Sequence, residues 1–233
     1  AMLRYAVQLA ILLALLASAC TGATITVYRD GTGDHSVLQS ALDAAADGDT
    51  ILIGPGEFVE TTIIHPPGWT GDLEVYGEIR QQVLTIIGSG AGITIVGPPV
   101  CAPNYQTESP EGLATDTPKE RITITDLTVR NCYKGIAVSC DLKLERCHVE
   151  NNLFGLSWTA QGSGGTVRDC RFVTTDALQP LGLYVRGVAG VLVEDCEFVR
   201  ASPYVDNSAA IFRRCIMAGP DVVGFQLASG VCQ

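Results

Sequence analysis

One short motif returns four times along this chain. Glu145-Arg146-Cys147-His148-Val149 reappears as Arg168-Asp169-Cys170-Arg171-Phe172, Glu194-Asp195-Cys196-Glu197-Phe198 and Arg213-Arg214-Cys215-Ile216-Met217, at gaps of 23, 26 and 19 residues. A motif recurring about every twenty-odd residues describes stacked coils in which each turn buries its apolar face against the next. That pattern constrains the fold before any chemistry is considered.

The rows beside the cysteines give the shape of a coil. Leu127 aligns with Cys147, Cys170, Cys196 and Cys215. Two residues on lie Val129, Val149, Phe172, Phe198 and Met217, and three residues back lie Ile124, Leu144, Val167, Val193 and Phe212. Inward parity reverses between the row at minus three and the cysteine row, which places a sharp corner at Asp126, Arg146, Asp169, Asp195 and Arg214. A further strand opens with glycine and alternates: Gly135-Ile136-Ala137-Val138, Gly155-Leu156-Ser157-Trp158, Gly182-Leu183-Tyr184-Val185 and Gly224-Phe225-Gln226-Leu227, with Pro203-Tyr204-Val205-Asp206 between the last two. Three short strands per coil, each with one apolar row, predict an all-β, right-handed parallel β-helix.

The N-terminal half leads into this stack. Ile25–Tyr28 reads as a strand and Asp30-Gly31-Thr32-Gly33-Asp34 as a turn. Residues Ser36–Ala46 read as a helix whose stripe is Val37, Leu38, Ala41, Leu42 and Ala45. Strands follow over Ile51–Phe58, Thr62–Ile64, Leu84–Ile87 and Ile93–Val96. The helix is expected to cap the first coil, since an open stack exposes core and strand edges. Residues 98–120, rich in Pro, Glu, Thr and Asp, read as an inserted loop carrying Cys101.

Residues 1–19 have the layout of a secretory signal: Arg4, an apolar run from Ala6 to Ala19 interrupted by Gln8, and a small-residue site at Ala17-Ser18-Ala19. Leu16-Ala17-Ser18-Ala19-Cys20 also resembles a bacterial lipobox, which would make Cys20 the lipidated first residue. Ordinary cleavage is the alternative, and both readings export the protein to the bacterial envelope or beyond. Losing residues 1–19 removes Arg4 and takes the formal net charge from −10 to −11. So acidic a chain excludes nucleic-acid binding, which needs clustered Lys and Arg. Residues 20–233 form the β-helix domain. The chain starts with Ala before Met2 and stops mid-coil at Cys232-Gln233, so its C-terminus reads as incomplete.

The segment Asp30-Gly31-Thr32-Gly33-Asp34…Leu38-Gln39-Ser40-Ala41-Leu42-Asp43-Ala44-Ala45…Gly48-Asp49-Thr50-Ile51…Pro55-Gly56-Glu57-Phe58 resembles the opening of many pectin-lyase-like right-handed β-helices, including NosD-like repeat proteins. Pectin methylesterases open similarly. The resemblance implies the fold, while its motifs are architectural and leave the reaction open. Pectin methylesterases would bring an Asp pair with an Arg and a Gln, but no Gly-x-x-Asp-Phe-x-x-Gly segment supplies them. Pectate lyases would bring acidic calcium ligands and an Arg base.

The outward rows of the Gly-led strands are Ala137, Ser157, Tyr184, Tyr204, Gln226 and then Ser139, Thr159, Arg186, Asp206, Ala228. One carboxylate on that face does not make two-carboxylate glycosidase chemistry. No cofactor and no metal site is expected. The like-charge step from Asp169 to Asp195 is the one place for a cation, and calcium takes six or more oxygens. Elsewhere charges alternate along the stack, as in Glu145, Arg168, Glu194 and Arg213, in Arg171 facing Glu197, and in Asp195 facing Arg214. Such ladders help to fix register.

The cysteine file reads best as buried thiols, with disulfides between coils also sterically allowed. Cys101, Cys132, Cys140 and Cys232 lie off the file and are better disulfide candidates. His35, His65 and His148 read as turn or surface residues, and Asn131 and Asn151 as corner residues. What packing leaves over is Tyr184 and Tyr204 with Arg186 and Asp206, overhung by 98–120. Exposed aromatics beside a charged fork suit a sugar chain laid along the sheet. Mutual stacking of the two tyrosines is the plain alternative. Three functions remain open: polysaccharide binding, a lyase or hydrolase with catalytic coils beyond Gln233, and a structural or adhesive surface protein.

Overall fold

The computed structural model describes residues 22–65, 71–101, 110–115, 117–159, 164–175 and 181–219, together with the backbone of 226–232. The expected signal, its cleavage site and Cys20 lie outside the described residues.

The coils wind into a parallel β-helix built from three columns of strands. The first column runs from Thr24–Val27 through Thr50–Ile53, Val83–Ile87, Arg121–Thr125, Asp141–Glu145 and Gly165–Arg168 to Val191–Glu194. The second runs from Gly56–Phe58 through Thr94–Val96, Thr128–Arg130, His148–Glu150, Arg171–Val173 and Glu197–Val199 to Ile216–Ala218. The third contains Leu73–Ile79, Glu111–Thr115, Lys134–Val138, Phe154–Thr159 and Leu181–Arg186. One long strand, Ser202–Arg213, continues both the third and the first column and ties them into a single sheet.

Registers match the rows expected from the repeats. Leu144 pairs with Ile124 and Val167, Val193 with Val167 and Phe212, and Phe172 with Val149 and Phe198. The corner is visible in the backbone. Asp126, Arg146, Asp169, Asp195 and Arg214 all take left-handed φ, between 50° and 60°. A left-handed residue turns the chain sharply enough to reverse which side chains face inward. A second corner uses the same device at Asn131, Asn151 and Arg200, with φ of 57°, 51° and 56°. Asn is among the residues that accept it most cheaply. At this corner Asn131 Nδ2 donates to Pro98 O at 2.7 Å, and Asn151 Oδ1 accepts from Thr175 N–H at 2.8 Å.

The helix spans Leu38–Ala44, shorter than the sequence pattern implied, and its Leu38, Ala41 and Leu42 are buried. It packs against Leu73–Ile79, whose outer edge is paired antiparallel with Thr62–Ile64. A Cβ on Gly77 would lie 2.8 Å from Leu113 and 3.0 Å from Leu42, so only glycine lets the helix sit this close. Polar groups finish the cap. Gln81 Nε2 donates to Leu42 O and Ala45 O at 2.8 and 2.9 Å, satisfying terminal helix carbonyls. Buried Asp49 accepts from Ala23 N–H and Ala46 N–H at 2.6 and 2.8 Å, and this is the physical content of the Asp47-Gly48-Asp49 stop.

Two expectations are corrected here. The segment 98–120 is not loop throughout. Glu111–Thr115 is a strand of the third column, paired to Leu73–Ile79 on one side and Lys134–Val138 on the other. Leu73–Ile79 itself escaped the sequence reading, because burial on both of its faces erases period-two alternation. At the far end a register shift pairs Asp206 with Ser229 rather than Ala228.

The cysteine file is a core row of thiols. Cys147, Cys170 and Cys196 are buried and Cys215 is half-buried. Each donates to the carbonyl two residues before it, at 3.3 Å (Glu145), 3.1 Å (Arg168), 3.2 Å (Glu194) and 3.4 Å (Arg213). No disulfide forms among the described residues. Cys132 and Cys140, expected as disulfide partners, are instead fully buried thiols, and Cys101 Sγ lies 3.0 Å from Asn131 Oδ1. The side chain of Cys232 lies outside the described residues.

Candidate functional site

The outer face of the third column is where the sequence placed the site, and the structure assembles all four residues there. Tyr184 and Tyr204 are in register on adjacent strands, and their rings stack at 5.5 Å and 16°. Arg186 Nε lies 3.4 Å from Asp206 Oδ2, completing the fork beside them. Both tyrosines are half-buried. Both rings keep part of their surface exposed, so stacking on each other and presenting a surface are compatible.

The aromatic surface is longer than the sequence implied. Phe154 packs edge-on against Tyr184 at 5.9 Å, and Tyr133 packs edge-on against Phe154 at 5.7 Å. The four rings form a string across four successive coils. Tyr133 lies just ahead of its strand and Phe154 opens its own, both shortly before Gly135 and Gly155, so the alternation that flagged Tyr184 did not flag them. Their signal was the recurrence of an aromatic just ahead of a Gly-led strand.

Beside the string lies a groove of about 340 Å³, lined by Glu111, Tyr133, Lys134, Ala137, Ser139 and Ser157 among others. Lys134 Nζ is 2.5 Å from Glu111 Oε1 and 5.5 Å from the centre of the Tyr133 ring. The Glu111 side chain is 4% exposed and that of Lys134 is 32% exposed. Sequence reasoning missed this pair because Glu111 fell within the presumed loop. Three carboxylates of this column are ion-paired, Glu78 with Arg80, Glu111 with Lys134 and Asp206 with Arg186, while Glu74 accepts from the Thr61 hydroxyl.

The remaining candidates separate from this face. Arg214 grips Asp195 through two bonds of 2.6 and 2.7 Å, and Arg146 grips Asp126 likewise at 2.7 and 2.6 Å. These guanidinium forks hold both carboxyls below the usual carboxylate range. Asp195 is thereby committed to Arg214 rather than to a cation shared with Asp169. Among the described residues no three His, Cys, Asp or Glu side chains gather into a metal site. His35 Nδ1 lies 3.0 Å from Ser40 Oγ, but that hydroxyl donates to Val37 O, so the pair is a helix-start contact and not an activated serine. His65 contacts Asp72 at 2.9 Å, and His148 contacts Glu150 at 3.4 Å. The hydrogen bond from His148 lowers the Glu150 carboxyl's pKa against the opposing effect of burial.

No protein-family model and no curated protein matches the sequence. Among solved structures, the chain is similar to a pectin methylesterase from carrot, with a TM-score of 0.58 at 15% identity over 92% of this chain and 73% of that one. A mutant pectin methylesterase in complex with a hexasaccharide aligns at a TM-score of 0.44 and 12% identity, over 81% of this chain and 66% of that one. At such identities the likeness concerns architecture. The chain has a right-handed parallel β-helix fold, as the carrot pectin methylesterase has.

Proposed function

We propose that this chain is an exported β-helix protein that binds polysaccharide along the outer face of its third strand column. The observation that carries the reading is the string Tyr133, Phe154, Tyr184 and Tyr204, which crosses four coils beside an open groove. Aromatic rings offer apolar area to the C–H faces of sugars, and Tyr hydroxyls add a polar handle. Coils spaced about 4.8 Å apart repeat that offer along a line, which suits an extended polymer. The fork of Arg186 and Asp206 lies next to the ring string and supplies both donors and an acceptor.

Export is inferred from the signal-like residues 1–19, with Cys20 as a candidate lipid anchor. The test is binding of purified protein to a glycan array and, for any hit, calorimetric titration. Wild type is expected to bind at least one glycan class, and Tyr184→Ala combined with Tyr204→Ala is expected to weaken that binding at least tenfold with the circular dichroism unchanged. Absence of binding, or full affinity in the double variant, would overturn the proposal.

A further inference from the structure

The Ser157 side chain is 8% exposed, lines the groove, and among the described residues has no hydrogen-bond partner for its hydroxyl. Its oxygen opens onto the groove, where water or a ligand completes it. On the same groove wall stands the Glu111–Lys134 ion pair, with its carboxylate almost fully withdrawn from bulk water. The Lys134 side chain is 32% exposed and lines the groove with Glu111, so a ligand there can meet both partners of the pair. Both features line one groove, where the hydroxyls of a ligand can reach them together.

From this we infer that the groove of Glu111, Lys134, Ser139 and Ser157 is a subsite for one neutral pyranose unit of the bound glycan. The inference rests on the polysaccharide-binding reading and adds to it the anchoring site and the charge class. The argument for a sugar is the mixture of groups. A carboxylate acceptor, an ammonium donor and serine hydroxyls match a vicinal diol. Ala137 and Tyr133 present apolar surface to the ring's C–H face. A volume of about 340 Å³ is at the low end for a small-molecule site, which fits a single ring better than an oligomer.

The argument for neutrality is electrostatic. Lys134 is neutralised by Glu111, and Arg186 by Asp206, so a uronate carboxylate would meet paired cations and a desolvated carboxylate on the same wall. The chain's formal charge of −10 opposes it further.

Calorimetric titration tests this with neutral tetrasaccharides of glucose, mannose and galactose and with tetragalacturonate. At least one neutral tetrasaccharide should bind more tightly than tetragalacturonate. Ser157→Ala and Glu111→Gln should each weaken that binding about tenfold, the scale of one lost hydrogen bond to a buried group. Ser139→Trp, at a half-buried position on the groove wall, should abolish it while leaving the melting curve unchanged. Binding that is lost in the Tyr184/Tyr204 double variant but unaffected by Ser157→Ala and Ser139→Trp would overturn the subsite and leave the broader reading standing. Tighter, salt-sensitive binding of tetragalacturonate would overturn its neutrality. Absence of binding by any glycan would remove both readings together.

Discussion

The rings of Phe172 and Phe198 lie 4.9 Å apart and 6° from parallel, in register on adjacent strands at the centre of the stack. Both are fully buried. In a β-helix each core side chain touches its equivalents above and below, so truncation opens a gap that two neighbours cannot close. Phe172→Ala is expected to lower unfolding free energy by about 3–5 kcal/mol. Urea denaturation checks it, and a loss below about 1 kcal/mol would mean that the row repacks.

The left-handed corner makes a prediction at Asp169, where φ is 52° on an exposed residue. Substitution by Gly removes the Cβ clash but adds flexibility to the unfolded chain, and the two roughly cancel. Asp169→Val keeps the clash and adds a branch, with an expected loss of about 1–2 kcal/mol. Equal midpoints for the Gly and Val variants would contradict the corner's role.

Acid should weaken the corner forks. The Asp126 and Asp195 carboxyls titrate below their ordinary value because Arg146 and Arg214 hydrogen-bond to them. A group with a depressed folded-state pKa contributes stability that is present above its unfolded value of about 3.9 and lost as pH falls through the folded value. Asp126→Asn with Asp195→Asn should therefore melt lower than wild type at pH 6, and the difference should shrink as pH falls below about 4. Melting curves from pH 6 to pH 2 that stay parallel would argue against this.

The core thiols should be chemically silent in the folded protein. Burial pushes the Cys140 thiol up to about 12, and its place beside Cys170 in the file does the same for Cys196, up to about 12. The thiolate is the reactive species, so little of either reacts at pH 8. Iodoacetamide followed by peptide-mass mapping should label both only after unfolding in urea. Comparable labelling rates in native and unfolded protein would show that the file opens to solvent.

Much of the architecture was legible because it repeats. The cysteine motif supplied a register in which Ile124, Leu144, Val167, Val193 and Phe212 fall on one line, and the structure pairs them so. Coils without the motif were harder to read. Leu73–Ile79 is buried on both faces, and Glu111–Thr115 follows a Pro-rich stretch that suppressed any period. The candidate face was half legible for the same reason. Tyr184, Tyr204, Arg186 and Asp206 alternate along readable strands, whereas Tyr133 and Phe154 come ahead of the Gly-led alternation and Glu111 lies on the unread strand.

By itself the sequence determined the coil. Side-chain parity along a strand, the reversal at a left-handed corner and the spacing between corners are local properties, written in residues a few positions apart. Only the tertiary structure decided what faces what around the groove. Glu111 meets Lys134 across 23 residues, and Ser157 joins them from the next coil. Those meetings depend on how much irregular chain is looped out between strands, and no period in the sequence records that.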